Sequence, residues 1–180
     1  MKFCERPFSH KDEMDHALIS NWNRVVSHSD TIYCLGDLFF CNRGRAIEIS
    51  LQLNGQKFWL FGNHDKKPRK WKDVVDLWVW TGDYKEIRIP DPTAQYDRGT
   101  YQKIDMMHYP IGSWNGMHHN AWMLHGHSHS TYNMDSNKIL DVGCDTWDYT
   151  PVSYERVKEY MATRPFVPVD GHGLRKQIQH

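Results

Sequence analysis

The chain predicts a mixed α/β fold in which a sheet-on-sheet core is flanked by helices. Helical and strand-like patterns alternate through its first half, and strand-like runs dominate the second. Four polar motifs, Gly36-Asp37, Gly62-Asn63-His64-Asp65, His108-Tyr109-Pro110 and Gly126-His127-Ser128-His129, each follow a short apolar run. Each therefore emerges at a strand's carboxyl end, where ligands collect in α/β folds. With 180 residues and neither an internal repeat nor a linker, one domain is expected over residues 1–163, followed by a tail over 164–180.

Ser9 with Asp12 reads as a capping-box start, and Met14, Leu18, Trp22 and Val25 recur at helical spacing, so a helix is predicted to about Ser27. Residues 31–35 form a buried strand before Gly36-Asp37. Residues 45–53 read as a helix stopped by Asn54-Gly55, and 57–61 as the strand feeding Gly62. Residues 71–80 fit helix or strand equally. Strands are predicted at 86–89, 102–107, 121–124 and 138–142, and a last helix at 153–163 with Val157, Tyr160 and Met161 on one face.

Lys+Arg and Asp+Glu both total 22 and the pI is near 7.2, so no global field steers the chain toward nucleic acid or a membrane. Cys4, Cys34, Cys41 and Cys144 show no Cys-x-x-Cys spacing, and Cys34 and Cys144 fall in predicted buried strands. A reducing compartment fits better than a disulfide scaffold. No run approaches the ~20 apolar residues of a membrane span. A soluble cytoplasmic protein is the expectation.

The motifs carry metal-ligating chemistry. Oxygen and imidazole donors suit a borderline divalent ion such as Mn²⁺, Fe²⁺, Ni²⁺ or Zn²⁺. Gly36 lets the backbone turn so that the Asp37 carboxylate faces the strand ends. His127 and His129, at i and i+2 of an extended segment, would point the same way. His125 shares that alternation and would stand behind them. Lys66, Lys67, Arg69, Lys70 and Lys72 form a run that is either simply solvated or guides a polyanion. Tyr109, Trp114 and Trp147 either fill the core or stack on a base. His10, His16, His28, His172 and His180 read as surface residues.

The order Gly-Asp, Gly-Asn-His-Asp, His, Gly-His-Ser-His resembles the calcineurin-like metallophosphoesterase superfamily, from near residue 1 to about Met161. That resemblance implies a four-layer α/β/β/α sandwich. It also implies a hydrolase that cleaves a phosphomonoester or phosphodiester by in-line attack of metal-bound hydroxide. Asp37 would bridge two metals, with Asn63, His108 and His127 completing one site and His129 serving the other. His64 would protonate the leaving oxygen, and Asp65 would either orient His64 or cap the following turn. Manganese is the expected ion, with Fe, Ni, Zn or Mg as alternatives. The substrate would be a phosphorylated small molecule, a nucleotide or a nucleic-acid end.

The superfamily opens with a strand ending in Asp-x-His, which this sequence lacks. Residues 1–4 look like the segment that normally succeeds such a strand. The expectation is therefore a chain without its first strand, either late-starting or degenerate. It would hold one metal firmly and associate with itself through the open sheet edge, or else serve as a non-catalytic metal-binding interaction module.

Overall fold

Helix α1 (Lys11–Val25) starts one residue later than its sequence suggests. His10 rather than Ser9 is the N-cap: its Nδ1 accepts the Glu13 N–H at 3.1 Å, while Glu13 Oε2 accepts the Ser9 N–H at 2.7 Å. The capping box is thus modified: the returning bond from Glu13 goes to Ser9, the residue before the N-cap, and not to His10 itself. The computed structural model describes residues 6–96, 99–129, 131–132 and 137–166. Residues 1–4 and most of the tail lie outside these. The inward stripe of α1 runs through Asp15, Ile19 and Trp22 to Val26, whereas Val25 is 45% exposed. The helix stops at Val25, and the extended backbone of Val26 turns that side chain inward in its place.

Strands β1 (Thr31–Cys34), β2 (Gln56–Leu60) and β3 (Trp80–Gly82) form a parallel sheet in that order. β1 is half-buried rather than buried, because β2 is its only strand neighbour among the described residues. Helix α2 (Arg43–Gln52) begins at Asn42, whose side chain accepts the Arg45 N–H at 2.9 Å. The ambiguous stretch at 71–80 contains both states: one turn of helix α3 (Lys72–Val75), then the start of β3 at Trp80. Over this sheet the wholly buried Trp59 packs against Phe39, Phe61 and Trp78 with ring centroids 4.9–5.6 Å away. Removing such a side chain costs ~3–5 kcal/mol.

The second sheet orders β4 (Tyr84–Pro90), β5 (Tyr101–Met107), β6 (Trp122–His125) and β7 (Ile139–Asp141). β4 and β5 are antiparallel, and the other pairs are parallel. Leu35 and Leu60 of the first sheet region share one core with Ile104, Met106, Trp122, Leu124 and Leu140 of the second. Val157 and Met161 of helix α4 (Tyr154–Thr163) join that core. Tyr160, expected on the same face, is 43% exposed and meets the edge of Trp147 instead. Cys144 lies in a one-turn 3-10 helix (Cys144–Thr146) rather than a strand.

Two lysines finish helices from beneath. Lys57 Nζ donates to the carbonyls of Ser50 (2.6 Å) and Leu53 (2.9 Å) at the end of α2. Buried Lys138 does the same for Met161 and Arg164 at the end of α4, both at 2.7 Å. A cation there adds a donor to the carbonyls at a helix end and opposes the negative end of the helix dipole. The fold is thus mixed α/β, with two sheets and four α-helices among the described residues. None of those helices is long and apolar enough to cross a membrane.

Candidate metal centre

Gly36 and Asp37 both take left-handed backbone, at φ +95° and +56°. Glycine adopts this freely and aspartate tolerates it. A Cβ on Gly36 would lie 2.3 Å from His108 Nδ1. Only glycine therefore lets His108 reach the Leu35 carbonyl, to which Nδ1 lies at 2.7 Å. A Cβ on Gly62 would meet Asp37 Oδ1 at 2.2 Å. These two glycines bring the carboxyl ends of β1 and β2 against the end of β5.

The imidazole of His108 is buried, and its hydrogen bond to Leu35 fixes the tautomer with the proton on Nδ1. Nε2 then faces Asn63 Oδ1 at 2.9 Å and Asp37 Oδ2 at 3.4 Å. His127 completes the group: the ligand atoms of Asp37, His108 and His127 all lie within 4.8 Å of one another. Two oxygens and an imidazole nitrogen that converge at these distances are balanced by a positive charge, either a proton on Nε2 or a cation among them. The donor set therefore fits one divalent cation, with the Leu35 carbonyl holding a ligating histidine from behind as such partners do. Burial works against charge on His108, but Asp37 and the Leu35 carbonyl override it and raise its pKa. Burial likewise opposes charge on Asp37, and His108 with the His64 N–H overrides it and lowers the pKa. Burial, then the charge of His108, lowers that of His127.

Asp65 does something other than orient His64. It is wholly buried, and its Oδ2 accepts the N–H groups of Asp37 (2.7 Å) and Gly62 (2.8 Å) and the indole N–H of Trp59 (3.2 Å). Oδ1 accepts the Leu38 N–H at 3.3 Å. Burial pushes its carboxyl pKa up against the pull of these donors. It is a clamp that locks the β1 and β2 loops to each other. His64 is exposed, with its backbone N–H on Asp37 Oδ1 at 2.8 Å and its ring 5.1 Å from that of Phe40.

His129 also departs from expectation. His127 and His129 both have positive φ, +66° and +45°, and Ser128 N–H closes on the Gly126 carbonyl at 2.7 Å. The segment is a turn, so the same-side rule for extended chain does not apply. His127 enters the donor group, while His129 Nδ1 meets Asp145 Oδ2 at 2.7 Å. Asp145 is in turn held by Arg6 through Nε and Nη2, at 2.7 and 2.8 Å. The sequence offered no sign of this pairing across 139 residues. His125 is buried behind the turn, with Nδ1 at 2.8 Å from the Gly126 carbonyl, and Asp141 accepts from Ser128 Oγ (2.8 Å) and Gly143 N–H (2.8 Å).

The uncharacterized protein MJ1445 of Methanocaldococcus jannaschii is 30% identical over 166 residues, covering 87% of this chain and 80% of that protein. The chain belongs to the MJ1445 family. The gene 66 protein of Mycobacterium phage L5 is 25% identical over 159 residues, 76% of this chain and 75% of its own length. In fold, the chain is similar to the protein of unknown function AQ665 from Aquifex aeolicus. The TM-score is 0.60 at 21% identity, with 86% of this chain and 88% of that one covered. No family model matches the chain. For this member of the MJ1445 family, elemental analysis after dialysis against manganese should find about one equivalent of metal. Two firmly held equivalents would mean that a second donor set exists.

Proposed function

We propose that the protein is a metal-dependent phosphoesterase with the four-layer architecture of the calcineurin-like enzymes, acting on a phosphomonoester or phosphodiester. The observation that supports this most is the convergence of Asp37, Asn63, His108 and His127 on one point, with His64 on the rim of the same loop. Mixed oxygen and imidazole donors accept manganese, the ion that the resemblance implies, as they accept Fe, Ni or Zn. A bound cation there supplies a Lewis acid for a phosphoryl oxygen and lowers the pKa of water.

The remaining work belongs to side chains. Asp37, anchored through Oδ1 by the His64 N–H, keeps a carboxylate edge on the donor point. His64 is exposed and free to give a proton to the leaving oxygen. Lys66 and Lys67 are exposed and make no ion pair among the described residues, whereas Arg69 pairs with Asp83 at 3.0 Å and Lys72 with Asp76 at 2.6 Å. Only part of the basic run is thus available to hold a substrate's non-bridging oxygens.

Mn²⁺ should support hydrolysis of bis(p-nitrophenyl) phosphate, and chelator should abolish it. His64→Ala should lower the rate by ~10²–10⁴ when the leaving group needs a proton, and by much less when it does not. An unchanged rate at intact metal content would remove His64 from the mechanism. A second reading, a metal-binding module without catalysis, is favoured by the place of His129 outside the donor group of Asp37, His108 and His127 among the described residues. Stoichiometric manganese binding with no hydrolysis of mono- or diesters would select it.

A further inference from the structure

Phe40 is 61% exposed beside Phe39, which is 3% exposed. The pair sits in the short loop between β1 and α2, and that loop is fixed from three sides. Phe39 packs edge-on against Trp59 and Trp78, the Leu38 N–H is held by Asp65, and the Phe40 carbonyl accepts from Lys11 Nζ at 3.0 Å. Phe40 is therefore displayed by a rigid loop. Isolated surface aromatics are ordinary, but this one lies against His64, at a tilt of 46° and 5.1 Å between centroids. The amide of His64 is bonded to Asp37, so the ring stands at the rim of the donor point.

Of the aromatic residues that the motifs bring close, Trp114 and Trp147 are committed to the interior, and Tyr109, 38% exposed, is packed against the donor group itself. Tyr109 packs edge-to-face on both His108 (4.9 Å) and His127 (4.8 Å) and forms the wall of the donor group. Trp114 is buried with its N–H on the Ala121 carbonyl, and the Trp147 N–H is on the Asp141 carbonyl. Phe40 therefore gives the rim an exposed aromatic face, and Lys66 and Lys67, exposed and without an ion pair among the described residues, follow His64 by two and three positions in the chain.

Resting on the phosphoesterase reading above, we infer that the substrate is a nucleoside phosphate whose base stacks on Phe40 while its phosphate lies at the donor point. A planar ring and a phosphate on one ligand match an exposed aromatic ring beside a point that gathers metal-ligating groups. A sugar or alkyl phosphate would leave Phe40 unused.

The test is equilibrium binding to the full chain by calorimetry with Mn²⁺ present, comparing adenosine 5′-monophosphate with ribose 5-phosphate. Base–aromatic stacking predicts adenosine 5′-monophosphate to bind roughly tenfold tighter. Phe40→Ala should bring that ratio close to one, and Phe40→Trp should keep it. Equal affinities in the unaltered protein, binding of neither ligand, or a parallel loss of both in Phe40→Ala with the ratio intact would overturn the inference. The ratio is read without turnover, so it separates the two readings. Base preference without hydrolysis would sink the enzyme alone, and hydrolysis without base preference would sink the stacking role alone.

Discussion

Asp65→Ala is expected to lower the melting temperature by ~6–20 °C and to release the metal in the same step. The carboxylate accepts four donors inside the protein, from Asp37, Leu38, Gly62 and Trp59. Each donor left without an acceptor costs ~1–3 kcal/mol, moderated where the loops relax toward water. A net loss of ~3–5 kcal/mol converts to that range at ~2–4 °C per kcal/mol for a chain of this size. Asp65→Asn should fall between, because it retains one acceptor oxygen and turns an amide toward a donor. Thermal unfolding followed by circular dichroism, with metal analysis on the same samples, checks this. A variant within about 1 °C of the unaltered protein that keeps its metal would show that Asp65 clamps nothing.

His108→Ala and His129→Ala should part company. Losing a group that merely supports a ligand already costs ~10–100-fold in metal affinity. Losing His108, whose Nε2 faces Asp37 and Asn63, should cost more than ~100-fold and also free the Leu35 carbonyl. His129 spends Nδ1 on Asp145 and lies outside the donor group, so its removal should change manganese affinity by only a few-fold. Calorimetric titration of both variants decides the matter. Equal losses would place His129 on the metal and restore the pattern expected from its Gly-His-Ser-His motif.

The strand ends were legible because a glycine or proline with polar neighbours interrupts each apolar run, and that signal is local. The grouping of Asp37, Asn63, His108 and His127 was legible only through resemblance, since the residues lie 19 to 90 positions apart. The fate of His129 was not legible, because a backbone in left-handed conformation reverses the side a motif residue faces, and nothing in Gly-His-Ser-His announces that. Asp65 looked like a partner for the adjacent His64, whereas burial beside Trp59 gave it four N–H donors instead. Phe39 and Phe40 are the same residue type in neighbouring places. Only the position of Trp59 and Trp78 decides which ring goes inward.

The donor point has a mechanical side. Asp37 and Asn63 follow strands of the first sheet, whereas His108 and His127 follow strands of the second. A cation held by all four would act as a rivet across the seam, loaded whenever the sheets begin to part. Ligand held about a thousandfold above its dissociation constant adds ~4 kcal/mol to the folded state. That increment is comparable to the whole safety margin of many domains, and it would be withdrawn as free metal falls. The cellular lifetime of this protein would then follow its metal supply, with metal-starved copies cleared by proteolysis ahead of loaded ones.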